Sequence, residues 1–132
     1  MNGVNVGAVI AAAVSAFVLG GAWYSPLLFG KAWQRATGQS EAVLKSGSTA
    51  QIFGGALVLS LIAAFVFALF LGPNPGLGFA LGAGASAGLC WVAASVGINY
   101  LFERRSLALF LINGGYFTLQ FTLYGLVLGL WH

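Results

Sequence analysis

The chain has 132 residues, of which 60% are hydrophobic and 5% charged, with a formal net charge of +3. An ordinary soluble domain carries about 25% charged residues. Five cations and two carboxylates, seven charges in all, cannot cover a 13.6 kDa globule in water. A soluble enzyme and a disordered chain are excluded, and so is a disulfide scaffold, because Cys90 is the sole cysteine. The carboxylates are Glu41 and Glu103, and the one histidine is His132. That inventory leaves no acid–base pair, triad or ligand set, so no catalytic, cofactor-binding or metal residue is assigned. The basic balance is not a nucleic-acid signal, since the cations flank long apolar runs.

Four stretches reach the roughly 20 apolar residues that a spanning helix needs. They run over about 4–24, 49–71, 77–101 and 107–131. None alternates as a barrel strand would. The expected fold is an all-α integral membrane four-helix bundle, one domain over 1–132, with the lipid bilayer as its first partner. The opening MNGVNVGAV lacks a cationic n-region, so the first segment is read as a mature helix rather than a signal peptide.

The links are unequal. Residues 25–48 form the one long link, and Pro26 ends the first helix ahead of it. Phe29, Trp33, Lys31 and Arg35 give it the character of a segment lying in the membrane interface. Ser40 is positioned to cap a short turn through Leu44, and Ser48 with Gln51 fits a capping box opening the second helix. Residues 72–76, GPNPG, make a tight uncharged turn, and residues 102–106, FERRS, a charged one. Lys31, Arg35 and Lys45 lie in the first link, Arg104 and Arg105 in the third, and none in the second link or the tail. The positive-inside rule then puts links 25–48 and 102–106 in the cytoplasm and both termini outside.

Inside lipid, helices associate through close packing. The first helix offers a ladder at spacing four, Ala8, Ala12, Ala16 and Gly20; the second offers Ala56, Ser60, Ala64, Ala68 and Gly72. The third is small over GFALGAGASAG, and the fourth carries Gly125 and Gly129. A core this thin favours self-association, most simply as a dimer. The plainer reading of these ladders is packing within the chain; the sharper one makes one of them an oligomer interface, for which the first ladder and the Gly125/Gly129 pair are the best candidates.

Polar and aromatic residues gather at the cationic end. The candidate cluster is Trp23, Tyr24, Lys31, Trp33, Asn99, Tyr100, Glu103, Arg104, Asn113 and Gln120. Ser95, Asn99 and Glu103 share one face of the third helix, and Asn113, Phe117, Gln120 and Tyr124 form a stripe on the fourth. The two faces are expected to meet across the FERRS turn, with Asn99 and Asn113 near each other or near the Trp23–Lys31 segment. Each member also has a plainer reading. Trp23, Trp33 and Trp131 suit an aromatic belt, Arg104 and Arg105 suit topology anchors and lipid-headgroup contacts, and the amides suit interhelical hydrogen bonds. Cys90 suits packing. No span holds the carboxylate or histidine that a proton-coupled carrier needs. The segments GGAWYSPLLFG and SVGINYLFERR end parallel helices one and three in similar ways, a faint internal echo.

GAWYSPLLFGKAW after the first helix and INYLFERRSLALFLINGGY across the third turn resemble the DUF1761 family of small bacterial integral membrane proteins. The resemblance covers nearly the whole chain and implies a four-helix membrane domain in the bacterial inner membrane. It implies no substrate, cofactor or catalytic residue. The reading drawn from the residues is a non-enzymatic multi-pass membrane protein that assembles with itself or with a membrane partner. The alternatives are a small oligomeric channel or transporter for a neutral or anionic solute, and a lipid-headgroup-binding protein or membrane enzyme. Amides facing neighbouring helices favour the first; amides lining a wet cavity favour the second.

Overall fold

A computed structural model describes residues 4–40, 42 and 47–132. Among the described residues the chain is all helical. Five helices follow in order: α1 (Val6–Trp23), α2 (Gly30–Thr37), α3 (Thr49–Leu71), α4 (Leu77–Glu103) and α5 (Leu107–Leu130). All but α2 are long and apolar enough to cross a membrane. The short α2 is the addition to the four expected helices, and it occupies the middle of the long first link. The expected Ser40–Leu44 turn falls largely outside the described residues, as does Lys45.

The helix starts are written in single residues. The side chains of Asn5, Ser48 and Ser106 accept from the backbone N–H of Ala8, Gln51 and Leu109, opening α1, α3 and α5. Each satisfies a donor that the helix itself cannot. The Ser48 half of the expected capping box is therefore present.

The link out of α1 turns back on itself. The Phe29 N–H donates to Trp23 O, and the Gly30 N–H donates to Ser25 O at 2.9 Å. Gly30 lies so close to the Tyr24 carbonyl that a Cβ there would collide with it. This is the physical content of the WYSPLLFG segment. It returns the chain so that α2 rests on α5, with Lys31 and Arg35 exposed four residues apart on its outer side.

In the bundle, α5 lies between α1 and α4, while α3 packs on α1 and reaches α5 through an edge contact of Phe67 on Phe121. Ala8, Ala12, Ala13 and Ala16 of α1 are buried inside the molecule. The first-helix ladder is thus an internal seam, in line with its plainer reading and not with its candidacy for an outer one. Gly125 and Gly129 are internal as well: a Cβ on Gly125 would collide with the Ala80 carbonyl, and one on Gly129 would lie 3.1 Å from Leu77 Cα.

The α4–α5 contact is made by backbone on backbone. A Cβ added to Gly84 would strike the Phe121 carbonyl, and one added to Gly88 would stand 2.7 Å from that of Phe117. Small side chains allow this approach. Residues Ala87–Ala93 of α4 are wound as a π-helix. A π turn holds one more residue than an α turn. The residue that returns to the α5 side after Gly88 is therefore Ala93, buried there, and not Val92. Val92 instead lines a groove of about 430 Å³ between α3 and α4, whose walls include Phe67, Phe70, Phe79, Ala83 and Trp91. The Phe70 and Trp91 rings meet across it, edge to face, at 6.5 Å.

Candidate functional site

The polar residues of α5 build one site from the cationic end toward the middle of the bundle. Asn113 stands at its head. Its Oδ1 accepts from the Tyr24 hydroxyl at 2.6 Å, and its Nδ2 donates to the Tyr100 hydroxyl at 2.6 Å. Tyr24 caps the end of α1 and Tyr100 lies in the last turn of α4. One amide therefore ties the ends of two parallel helices to the third. These two residues are the tyrosines of the two echoing segments, and the structure brings them onto the same side chain.

Around that clamp the aromatic residues interlock. Trp23 Nε1 donates to the Ile112 carbonyl at 2.9 Å, and the Trp23 ring lies 4.6 Å from that of Phe29. Tyr24 meets Tyr116 at 5.5 Å and Trp33 at 6.0 Å, both edge to face. Trp23 is thus a stitch between α1 and α5 as well as an aromatic residue at a helix end. Trp33 is half-buried against Tyr24, while Lys31 two positions earlier is exposed.

One turn deeper, the Tyr116 hydroxyl donates to the Ala16 carbonyl at 2.9 Å. Deeper still, Gln120 Nε2 donates to the Tyr124 hydroxyl at 2.6 Å. Tyr124 is the largest fully buried side chain and shares a 2.7 Å hydrogen bond with Ser60 of α3. Ser60 in turn donates to the Ala13 carbonyl of α1 at 3.2 Å. With Ser60 donating to Ala13, the chain of donation runs from Gln120 through Tyr124 and Ser60 to the Ala13 carbonyl, which accepts. From Asn113 to Tyr124 the helix rises about 16 Å, about half the thickness of a hydrocarbon layer. Among the described residues, no buried side-chain nitrogen or oxygen lacks a hydrogen-bond partner.

The structure divides the candidate cluster. Trp23, Tyr24, Trp33, Tyr100 and Asn113 come together, and Gln120 joins a second, deeper set with Tyr124 and Ser60. Asn99, Glu103, Arg104 and Lys31 stand apart on the surface. The Asn99 amide donates to Glu103 Oε2 at 2.8 Å, one turn along its own helix. Glu103 also pairs with Arg105 at 3.2 Å. The face of Ser95, Asn99 and Glu103 is exposed and does not meet the α5 stripe. The face of α4 that does meet it carries Ala93, Gly97 and Tyr100. The reason is rotational: helical spacing says which residues share a face, and the small residues decide which face is turned inward.

Tyr116 and Ser60 belong to the site without having been counted in the candidate cluster, and so does Tyr124, which the stripe on the fourth helix already held. A signal existed for two of them. Tyr124 lies four residues from Gln120 within an apolar run, and Ser60 is the one polar member of the second ladder. The hydroxyl of Tyr116 had no such marker.

Chemically, the arrangement binds helices together. Phenols, amides and a hydroxyl saturate one another, and among the described residues no carboxylate or amine enters the interior. Among the described residues, no three His, Cys, Asp or Glu side chains gather where they could hold a metal ion. The protein is thus of the class of all-helical chains with four helices fit to span a membrane and an internal amide–tyrosine network. It belongs to the DUF1761 family, described as proteins of unknown function, whose model matches residues 7–129. No curated protein and no solved structure matches the chain.

Proposed function

We propose that this chain is a multi-pass protein of the bacterial inner membrane that performs no reaction of its own and works by assembling with a second copy or with another membrane protein. The observation that carries the reading is the closure of the α5 amides. Asn113 is held on both sides by tyrosines, and Gln120 donates to a third. A solute path needs polar groups turned toward water; these are turned toward neighbouring helices. The outer faces support placement in lipid, since Phe70 is 73% and Leu101 79% exposed. Lys31, Arg35, Arg104 and Arg105 at one end give links 25–48 and 102–106 to the cytoplasm and the termini to the outside.

With the α1 ladder used internally, the small residues left for a partner lie on the outer sides of α3, at Gly54 and Gly55, and of α4. A Cβ at Gly78 or Gly82 would meet nothing within 4 Å. Gly82→Ile is expected to keep the stability of the parent and to turn a dimer into monomers, read by native mass spectrometry from lipid nanodiscs. A parent that is monomeric in lipid at every concentration removes self-assembly and leaves a second membrane protein as partner. Orientation is read by labelling single cysteines in a Cys90→Ala background. Asn74→Cys is expected to react from outside and Gln39→Cys to be protected; the reverse pattern inverts the topology.

A further inference from the structure

We infer that Arg104 is a binding residue for the phosphate of an anionic phospholipid headgroup, kept at its position for its charge against the preference of the backbone. The inference rests on the membrane placement proposed above, not on assembly. Arg104 sits just past the end of α4 in the left-handed region, at φ 60° and ψ 38°. Its N–H donates to Leu101 O, and the next N–H, of Arg105, donates to Tyr100 O. That pair of bonds is the Schellman ending of a helix, in which the left-handed residue is usually glycine because a Cβ is disfavoured there. The family-like turn FERRS carries a bulky cation instead.

The side chain does little for the fold. One guanidinium nitrogen donates to the Phe102 carbonyl at 3.2 Å, two residues back. The carboxylate beside it, Glu103, is engaged by Arg105 and by Asn99. Among the described residues Arg104 therefore has no carboxylate partner on its exposed turn, and one bond to the Phe102 carbonyl leaves most of its fork of donors free. The same end of the bundle presents Lys31 and Arg35 along the outer side of α2, and Glu103 is the one carboxylate among the described residues there. A cationic rim at the level where the helices leave the hydrocarbon faces headgroups, and a planar guanidinium matches phosphate oxygens in a two-pronged geometry. Anionic lipids of the cytoplasmic leaflet supply the complementary charge.

The alternative role is structural: a cation at the C-terminal end of α4, balancing the helix dipole. That role does not depend on the lipid, so the two separate cleanly. The full chain is reconstituted in nanodiscs of phosphatidylcholine alone and of phosphatidylcholine with phosphatidylglycerol, and thermal unfolding is followed by tryptophan fluorescence. The parent is expected to gain stability with phosphatidylglycerol, and the gain is expected to shrink as salt is raised. Arg104→Gly is expected to unfold a few degrees higher than the parent in phosphatidylcholine, because glycine suits the left-handed position, and to lose most of the phosphatidylglycerol gain. Arg104→Lys is expected to keep part of the gain, and Arg105→Gln most of it. Native mass spectrometry of the same samples is expected to find fewer retained phosphatidylglycerol molecules on Arg104→Gly than on the parent. An Arg104→Gly protein that responds to phosphatidylglycerol as the parent does overturns the proposal. So does one that is less stable than the parent in phosphatidylcholine alone, since Arg104 would then be held for the fold. Failure of the parent to enter nanodiscs would instead overturn the membrane placement on which the proposal stands.

Discussion

The two sides of α4 obey opposite rules. Toward α5, glycines put backbone against backbone, and the Gly84, Gly88 and Gly125 positions leave no room for a single added carbon. Toward α3, to which α4 is joined by only the GPNPG turn, the helices stand apart around a groove of about 430 Å³ and touch through Phe70 and Trp91. Proximity in sequence does not decide which helices pack. In lipid the apolar surface of a groove is already solvated by a medium as apolar as itself, so burying it offers little. What draws helices together is backbone approach and internal polar bonds, and α4 makes both toward α5 and, among the described residues, neither toward α3. The π segment separates the two sides, turning Ala93 to the tight one and Val92 to the loose one.

The largest effect is expected where the tight side is breached. Gly84→Val or Gly88→Val places methyls against the carbonyls of α5, and neither backbone can retreat without separating the helices. The cost is expected to be about 3 kcal/mol or more, at or beyond the upper end of ordinary overpacking. Thermal unfolding in detergent should show loss of the cooperative transition. A variant that unfolds as the parent does would mean that the two helices are not in backbone contact.

A second, smaller effect tests the polar bonds. Asn113→Leu removes the donor to Tyr100 and the acceptor for Tyr24, leaving two half-buried hydroxyls without their partner. A loss of about 1–3 kcal/mol is expected, the usual cost of orphaned polar groups, moderated because hydroxyls in membranes find other partners. Asn99→Leu, by contrast, gives up one exposed bond within its own helix and is expected to change stability by less than about 0.5 kcal/mol. Equal effects from the two substitutions, measured by the same unfolding assay, would contradict the division of the cluster.

That pair of substitutions also marks the boundary of what the sequence discloses. The four long helices are legible because length and apolarity alone specify them, and Asn113 is legible because an amide within an apolar run must find a partner. Asn99 looks equivalent in sequence: also an amide, also near the FERRS turn. What separates them is the rotation of α4 about its axis. Gly84, Gly88 and the π turn set that rotation, and the spacing of polar residues does not report it. The same gap explains the α1 ladder. Ala8, Ala12 and Ala16 announce a close-packed face, but nothing in their spacing says whether the facing helix belongs to the same chain. Tyr116 is the extreme case, because its partner is the Ala16 backbone carbonyl, a group every residue carries.

The smallest effect is expected one residue from the largest. Ala83 precedes Gly84 but lines the groove on the α3 side. Ala83→Leu adds three carbons, which the open space accepts without moving either helix. Some dispersion contact with Phe67 and Phe79 is gained. Little hydrophobic stabilisation follows, because the displaced medium is lipid or detergent tail rather than water. The net change is expected to lie within about 0.5 kcal/mol of the parent, the range of a substitution that disturbs no packed surface. Set beside Gly84→Val in the same unfolding measurement, it isolates the direction a side chain points as the one variable, since the two positions share a helix, a depth and a neighbourhood. If Ala83→Leu destabilised the protein as strongly as Gly84→Val, α3 and α4 would have to be in close contact in the membrane. The groove would then be closed, and the asymmetry of α4 would vanish with it.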